Sequence, residues 1–401
     1  MARSYPIISA DSHLQIAAER WTWRVPPKYR DCAPKTIQLP DGTDATVVLD
    51  GRPEMCTAGL SGLPYEKRTP NLGRFDSAPG RGSPQQRLQE QDIDGVDGEI
   101  MYASPAGADS YRRIKAKDVA AYAAVIHAYN EFLAEEYCTA SPHRLMAMGM
   151  IPDSGIDDAV AELEYCAASG LKGVCLTRYP SGQEYPTPED DRFWERALEL
   201  NMPLTAHMYL AGAGADAGHP PFPLPWEQAG LPYDLRDVAR GLDPFSKFTM
   251  YAVRGAGNAV QMIFDGLFER FPGLRFYFAE TMVGWLPHFL ETLDDQYQRH
   301  ISWSSRYLGV RKLDRMPSEY VREHFYWGFM KNPVGVRMRH EIGVNRMMWA
   351  NDFPHAESDW PESQQAIEVT FAGVPEDERA QMLSGNVCDF FHLDPEAYLS
   401  A

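Results

Sequence analysis

The chain has 401 residues, 44% of them apolar and 23% charged, a composition ordinary for a globular enzyme or binding protein. Its 38 Lys and Arg against 56 Asp and Glu leave a formal charge of −18, which argues against a nucleic-acid backbone or an anionic membrane surface as the main partner and leaves a small-molecule substrate open. Six scattered cysteines without a Cys-x-x-Cys pair speak against a zinc ribbon or thioredoxin motif and suit reduced thiols in the cytoplasm, and no run approaches the ~18 apolar residues of a membrane span.

An apolar run at Tyr5–Ala10 ends in Asp11-Ser12-His13 and reads as a first strand. Residues 14–83 are rich in Pro and Gly, with a hairpin signal at Thr36–Leu49 around Asp41-Gly42. They read as a long excursion rather than a domain. From Pro84 the pattern turns regular: helix Pro84–Gly95, strand Gly98–Ala103, a long helix Ala116–Thr139, strand Arg144–Ile151, helix Ile156–Ala168, strand Leu171–Thr177, helix Asp190–Leu200 and strand Pro203–Tyr209. A second Gly- and Pro-rich excursion covers 210–250. Helix Tyr251–Phe271, strand Leu274–Ala279, helix Trp285–Ile301, strand His324–Phe329, helix Pro333–Ile342 and strand Arg346–Ala350 follow. The chain closes with helices at Pro361–Phe371, Pro375–Leu383 and Gly385–Phe391. Eight strands alternating with helices predict parallel strands joined by crossovers, and that number favours a closed, distorted (β/α)8 TIM barrel over an open sheet. No Gly-rich phosphate loop follows the first strand, as a doubly wound sheet would require. The expected organisation is one domain, 1–401, with 14–83 inserted after the first strand and 210–250 after the fifth as a lid.

In such a barrel the chemistry stands at the C-terminal ends of the strands. The two-residue period of a strand turns Asp11 and His13 to one side. The fifth strand ends at His207, the sixth at Glu280 and the eighth at Asp352. Each residue alone is most often a structural hydrogen-bonding group. Together, Asp11, His13, His207 and Asp352 offer two carboxylates to balance a divalent ion and two imidazoles to bind it. Such an ion would acidify a water or polarise a carbonyl.

These stretches carry a resemblance: Ile8-Ser9-Ala10-Asp11-Ser12-His13; His207; Ala279-Glu280 through Gly284-Trp285-Leu286-Pro287-His288-Phe289-Leu290-Glu291; and Trp349-Ala350-Asn351-Asp352-Phe353-Pro354-His355 with Trp360-Pro361-Glu362-Ser363. The chain resembles the amidohydrolase superfamily, in the branch that contains aminocarboxymuconate-semialdehyde decarboxylase and the γ-resorcylate decarboxylases. The tail Leu383-Ser384-Gly385-Asn386-Val387 with Phe390-Phe391 is similar to the family's closing helix. The resemblance implies a single divalent metal (zinc, manganese or iron), with Asp11 in place of the first His of the usual His-x-His pair, His13 as the second, His207 as the fifth-strand ligand and Asp352 as the eighth. It departs at the sixth strand, where the decarboxylases carry a His thought to act as acid or base and this chain carries Glu280. Glu280 is open to three readings: a base, a partner to a ligand His, or an added ligand.

His355, three residues past Asp352, either reaches over the mouth to bind substrate or move a proton, or bonds loop backbone. The expected catalytic set is Asp352, Glu280 and His355. Arg178, at the end of the fourth strand, is the candidate grip on a substrate carboxylate, against a structural salt bridge. Tyr102, at the end of the second, lines the pocket or packs. His219, in the second excursion, reaches substrate from a lid or faces solvent. The missing sixth-strand His makes hydrolysis of an amide, lactone or related carbonyl bond by a metal-activated water the leading expectation. The alternative is non-oxidative decarboxylation of an aromatic or unsaturated acid. An inert metal-binding barrel is the rival outside catalysis, and the retention of four ligand positions speaks against it. The excursions suggest a lid and a homodimer contact.

Overall fold

The computed structural model describes residues 4–39, 42, 44–50, 54–55, 61–64, 67, 75, 78–103, 108–210 and 253–399. Eight strands run parallel around a barrel in chain order: Ile8–Leu14, Gly98–Ala103, Leu145–Ala147 continued by Gly149–Met150, Val174–Leu176, Leu204–His207, Phe276–Ala279, Phe325–Phe329 and Met347–Trp349. The third strand changes partner at Met148. Met148 N donates to Met101 O at 2.8 Å and Gly149 N to Gly173 O at 2.9 Å, joining the second strand to the fourth. Beyond Trp349 the ring is closed by two backbone bonds, Asp352 N to Asp11 O at 3.0 Å and His13 N to Phe353 O at 2.7 Å. The fold is thus the expected distorted TIM barrel.

One face of each strand fills the lumen. Ile8, Ala10, Ile100, Tyr102, Met146, Met148, Tyr277, Ala279 and Met348 pack together inside, and residues of the opposite faces pack under the surrounding helices. The bottom is plugged by the helix Asn386–Phe391. Phe390 lies 6.0 Å from the Tyr277 ring and 5.0 Å from Tyr326, with Phe391 6.1 Å from Tyr277. The apolar residues of the tail are therefore barrel core.

The first strand is not regular. Ser9 pairs with Glu99 but Ser12 with Met101, so three steps on the first strand meet two on the second. This one-residue bulge reverses the facing of everything after it. Ile8 and Ala10 face the lumen before it, and His13, opposite lumen-facing Tyr102, does so after it.

The elements otherwise differ in detail. The long helix expected at Ala116–Thr139 is divided, because Asp118 accepts from Ala121 N at 3.0 Å and caps a new helix, Val119–Phe132, behind Ala108–Lys117. Gly266, at φ 77°, breaks the helix expected at Tyr251–Phe271 into Gly255–Asp265 and Leu267–Arg270. A helix at Pro317–His324 had no counterpart in the sequence reading. In the first excursion the hairpin forms, Lys35–Gln38 against Asp44–Val47, with Glu54–Met55 as a third strand. Most of the second excursion, residues 211–252, lies outside the described residues, and with it the expected lid.

A buried polar network ties the first strand to the eighth. Arg87, on the helix Pro84–Asp94, donates to Glu99 Oε2 at 2.6 Å, to His13 O at 3.2 Å and to Phe353 O at 3.1 Å. Its guanidinium lies 4.5 Å from the Phe353 ring centre. Asn351 Nδ2 donates to Glu99 Oε1 at 3.1 Å, and Ser9 Oγ donates to Asn351 Oδ1 at 2.9 Å. Both Arg87 and Glu99 are 1% exposed. Arg87→Met takes away the ionic partner of buried Glu99 and leaves it only the amide donors Gln91 and Asn351, and the expected loss is about 3–5 kcal/mol of unfolding free energy. Urea denaturation measures it; an unchanged midpoint would show that the network is dispensable.

Candidate metal centre

The bulge and the strand ends bring the predicted residues into one cluster. His13 Nε2 stands 3.0 Å from His207 Nε2, 3.1 Å from Asp352 Oδ1 and 3.6 Å from Asp11 Oδ1. His207 Nε2 is 3.5 Å from Asp11 Oδ2 and 3.3 Å from Glu280 Oε2. His355 joins from the far side, its Nδ1 3.1 Å from Asp352 Oδ1 and its ring stacked on His13 at 3.8 Å. Asp11 and Asp352 are fully buried, whereas the side chains of His207, Glu280 and His355 keep 19%, 13% and 14% of their exposure and form the open side.

The backbone is bent to present these groups. Met208, Glu280 and Asp352 have φ of 62°, 56° and 50°. A side chain in this left-handed region costs roughly 1–2 kcal/mol per residue. All three lie just past the ends of the fifth, sixth and eighth strands, which concentrates strain at the mouth as functional sites commonly do.

The electrostatics of the cluster are those of a site short of positive charge. Burial raises the Asp11 carboxyl above its ordinary range. Burial, then the Asp352 and Asp11 carboxylates, raises Glu280 further. Burial also pushes His13 well below the usual imidazole range. It opposes the charge on Asp352 too, but the His355 charge and the hydrogen bonds from His13 and His355 outweigh it and hold that carboxyl low. For His355, burial is outweighed by Asp352, and the imidazole is raised.

Both Asp11 oxygens, Asp352 Oδ2 and His13 Nδ1 are buried with no hydrogen-bond partner. Two imidazole nitrogens facing each other at 3.0 Å need a proton or a cation between them. Donors bound at ~2.1 Å to one ion lie about 3 Å apart around it, which matches the 3.0–3.6 Å spacings here. Asp11, His13, His207 and Glu280 fit one ion as a group, and His13, Asp352 and His355 form an overlapping set. The donor set is therefore consistent with one divalent metal, and a cation would relieve the crowded carboxylates.

The substrate candidates fare differently. The Tyr102 ring lies 5.4 Å from His207 and 6.4 Å from His13, so it lines the cluster, with its hydroxyl unpaired and burial raising it well above the usual phenol range. Arg178 sits at the fourth strand's end, paired with Asp153 and Glu184, each at 3.4 Å. It takes the salt-bridge reading. His219 lies outside the described residues. Sequence reasoning missed Gln15, Arg87 and Glu99. Gln15 continues the Asp11, His13 alternation, and Glu99 is a carboxylate in an otherwise apolar strand; either pattern was a usable signal.

A family profile described as Amidohydrolase matches residues 79–393. The 2-amino-3-carboxymuconate-6-semialdehyde decarboxylase of Dictyostelium discoideum is 22% identical over 319 residues, 79% of this chain and 78% of that one. The gamma-resorcylate decarboxylase of Rhodococcus jostii is 24% identical over 283 residues, 66% of this chain and 75% of that one. Among solved structures, an amidohydrolase of Mycobacterium avium subsp. paratuberculosis superposes with a TM-score of 0.72 at 17% identity, covering 97% of this chain and all of that one. The 5-carboxyvanillate decarboxylase of Novosphingobium aromaticivorans, in complex with manganese and 4-hydroxy-3-methoxy-5-nitrobenzoic acid, gives 0.63 at 17%, covering 98% and 97%. The expectation of a hydrolase is overturned by the decarboxylases among these relatives, those of Dictyostelium, Rhodococcus and Novosphingobium. It rested on the missing sixth-strand His, yet Glu280 fills that place within the cluster, so the exchange does not dismantle the site.

Protein prepared without chelator is expected to carry one divalent ion per chain, by elemental analysis. Because the ion binds only the folded state, it adds about 2.7 kcal/mol of stability at a hundredfold excess over Kd; chelation should lower Tm and manganese restore it. Asp11→Asn and His207→Ala should each weaken uptake. A chain that takes up no ion, with a Tm indifferent to chelator, would refute the assignment.

Proposed function

The chain belongs to the amidohydrolase family, and from that membership we propose that it is a metal-dependent, non-oxidative decarboxylase of a small aromatic or unsaturated carboxylic acid. The observation that carries this reading is the position of Glu280, on the open side of a cluster otherwise suited to hold a metal. The proposed ligands are Asp11, His13, His207 and Asp352. When bound, the ion supplies a Lewis-acidic point for the substrate's carboxylate and a neighbouring oxygen.

The remaining work is proton delivery to carbon. His13 and His207 turn Nε2 inward toward each other and toward the acids. Both nitrogens of His355 are engaged, one by Asp352 and one by Gln15. Glu280 is left as the proton carrier, and burial beside Asp352 and Asp11 favours its protonated form. In the reaction the bond between the substrate carbon and its carboxyl carbon breaks. The electron pair stays on the substrate carbon and takes up the proton from Glu280, and carbon dioxide leaves. No oxidant is consumed. The free thiols of Cys32, Cys138, Cys166, Cys175 and Cys388 support a reducing, cytoplasmic setting, and no helix among the described residues is long and apolar enough to cross a membrane.

With hydroxybenzoates and unsaturated dicarboxylates as the panel, the metal-loaded protein is expected to release carbon dioxide in step with substrate loss, with no oxygen from labelled water in the organic product. Glu280→Gln should lower kcat by about 10²–10⁴-fold, the usual worth of a proton-transfer group, with bound metal retained. Product that carries the label, without carbon dioxide, would reject the reading.

A further inference from the structure

The fifth strand ends at His207, and the three residues that follow it are gripped by the start of the helix Gly255–Asp265. Met208 N donates to Ala279 O at 2.9 Å, and the chain then leaves the sheet through the left-handed conformation of Met208. Beyond that point its course is set from the helix. Asn258, fully buried, clamps the buried Leu210 backbone from both sides: Leu210 N donates to Asn258 Oδ1 at 2.9 Å, and Asn258 Nδ2 donates to Leu210 O at 3.3 Å. The same Nδ2 lies 3.3 Å from Gln261 Oε1, which also accepts from the Tyr179 hydroxyl at 3.0 Å. Gly255 lies against Met208. A Cβ there would stand 2.9 Å from Met208 O and 3.0 Å from Phe278 Cδ1, too close for either. Arg254 covers Tyr209, its guanidinium 5.0 Å from the ring centre and its Nη1 3.1 Å from the hydroxyl. Residues 254, 255 and 258 thus meet residues 209, 208 and 210.

We infer that Asn258 and Gly255 are positioning residues for the metal ligand His207. They act through the backbone of residues 208–210. His207 is the last residue of a four-residue strand, and its imidazole turns with the peptide that follows it. Its Nε2 has to meet His13, Glu280 and Asp11 together, at 3.0, 3.3 and 3.5 Å. Its side chain is also the most exposed of the cluster, so side-chain packing holds it less firmly than it holds Asp11 or His13. The grip on the turn supplies what packing does not. With the Asn258 amide gone, the Leu210 N–H and C=O lose their partners, and the turn has to move to regain them. A methyl group at Gly255 pushes Met208 from the other side. Residues that orient a ligand commonly change metal affinity by about 10–100-fold when removed. The inference rests on the metal assignment and not on the reaction.

The probe is cobalt(II), titrated into the full chain after chelator treatment, because its visible spectrum reports the ligands around it. His207→Ala at saturating cobalt gives the reference spectrum of a lost ligand. Asn258→Ala is expected to weaken cobalt binding by about 10–100-fold and to shift the spectrum toward that reference, and Gly255→Ala should act in the same direction. Met262→Ala is the structural control: Met262 is buried in the core on the same helix, so its loss should lower the urea midpoint yet keep the wild-type affinity and spectrum. Gln261→Met, at a half-buried position, removes the amide oxygen that orients Asn258, and it decides the matter if Asn258→Ala does not fold. A folded Asn258→Ala with the wild-type affinity and spectrum would overturn the inference; where that variant is unfolded, the same result for Gln261→Met would. So would a Met262→Ala that loses as much affinity as Asn258→Ala. A wild type that takes up no cobalt would overturn it together with the metal centre. The expected spectra in a protein that releases no carbon dioxide from any acid would uphold it and refute the proposed reaction instead.

Discussion

The bulge between Ser9 and Ser12 decides which side chains reach the barrel mouth. A strand has a period of two, so a regular first strand that turns Ile8 and Ala10 into the lumen would turn Asp11, His13 and Gln15 out under the helices. One extra residue reverses the facing halfway along. The same strand can then supply apolar core at its start and three polar groups at its end. Every contact described around His13 follows from that single offset.

The second requirement is that the first and eighth strands hold a fixed relation, because the ligands come from both. Regular ladder pairing between them is replaced by two backbone bonds at the mouth, and behind these stands the Arg87 guanidinium, bonded to carbonyls on both sides. Glu99 compensates its charge, and Asn351 donates to Glu99 in turn. The left-handed conformations at Glu280 and Asp352 are stabilised by such surroundings: a residue held from several directions can keep a backbone angle that it would not adopt alone.

Much of this was legible in the residues. Alternating apolar runs and helical stripes predicted the eight strands, since parallel strands buried on both faces read as continuous apolar segments. The strand-end polar residues predicted the cluster, and Asp11, His13, His207, Glu280, Asp352 and His355 all arrive there. The bulge was not legible, because Ala10 suits either face of a strand. Arg178 was left open between a substrate grip and a salt bridge because its position at a strand end does not reveal Asp153, which comes from a neighbouring loop. The chemistry misled because the change of one residue type, His to Glu at position 280, was weighed without knowing that the carboxylate would stand among the other donors.

The closing helix Asn386–Phe391 and the pairing of residues near 11 with residues near 352 also set the order in which the molecule can be made. On a ribosome, Asp11 and His13 emerge early and wait for partners some 340 residues behind them. The barrel has no floor until Phe390 and Phe391 have left the exit tunnel, and the first strand keeps an unpaired edge until the eighth arrives. Contacts this distant fold slowly and leave apolar surface open in the meantime. A nascent or truncated chain lacking its tail is thus the species most in need of a chaperone.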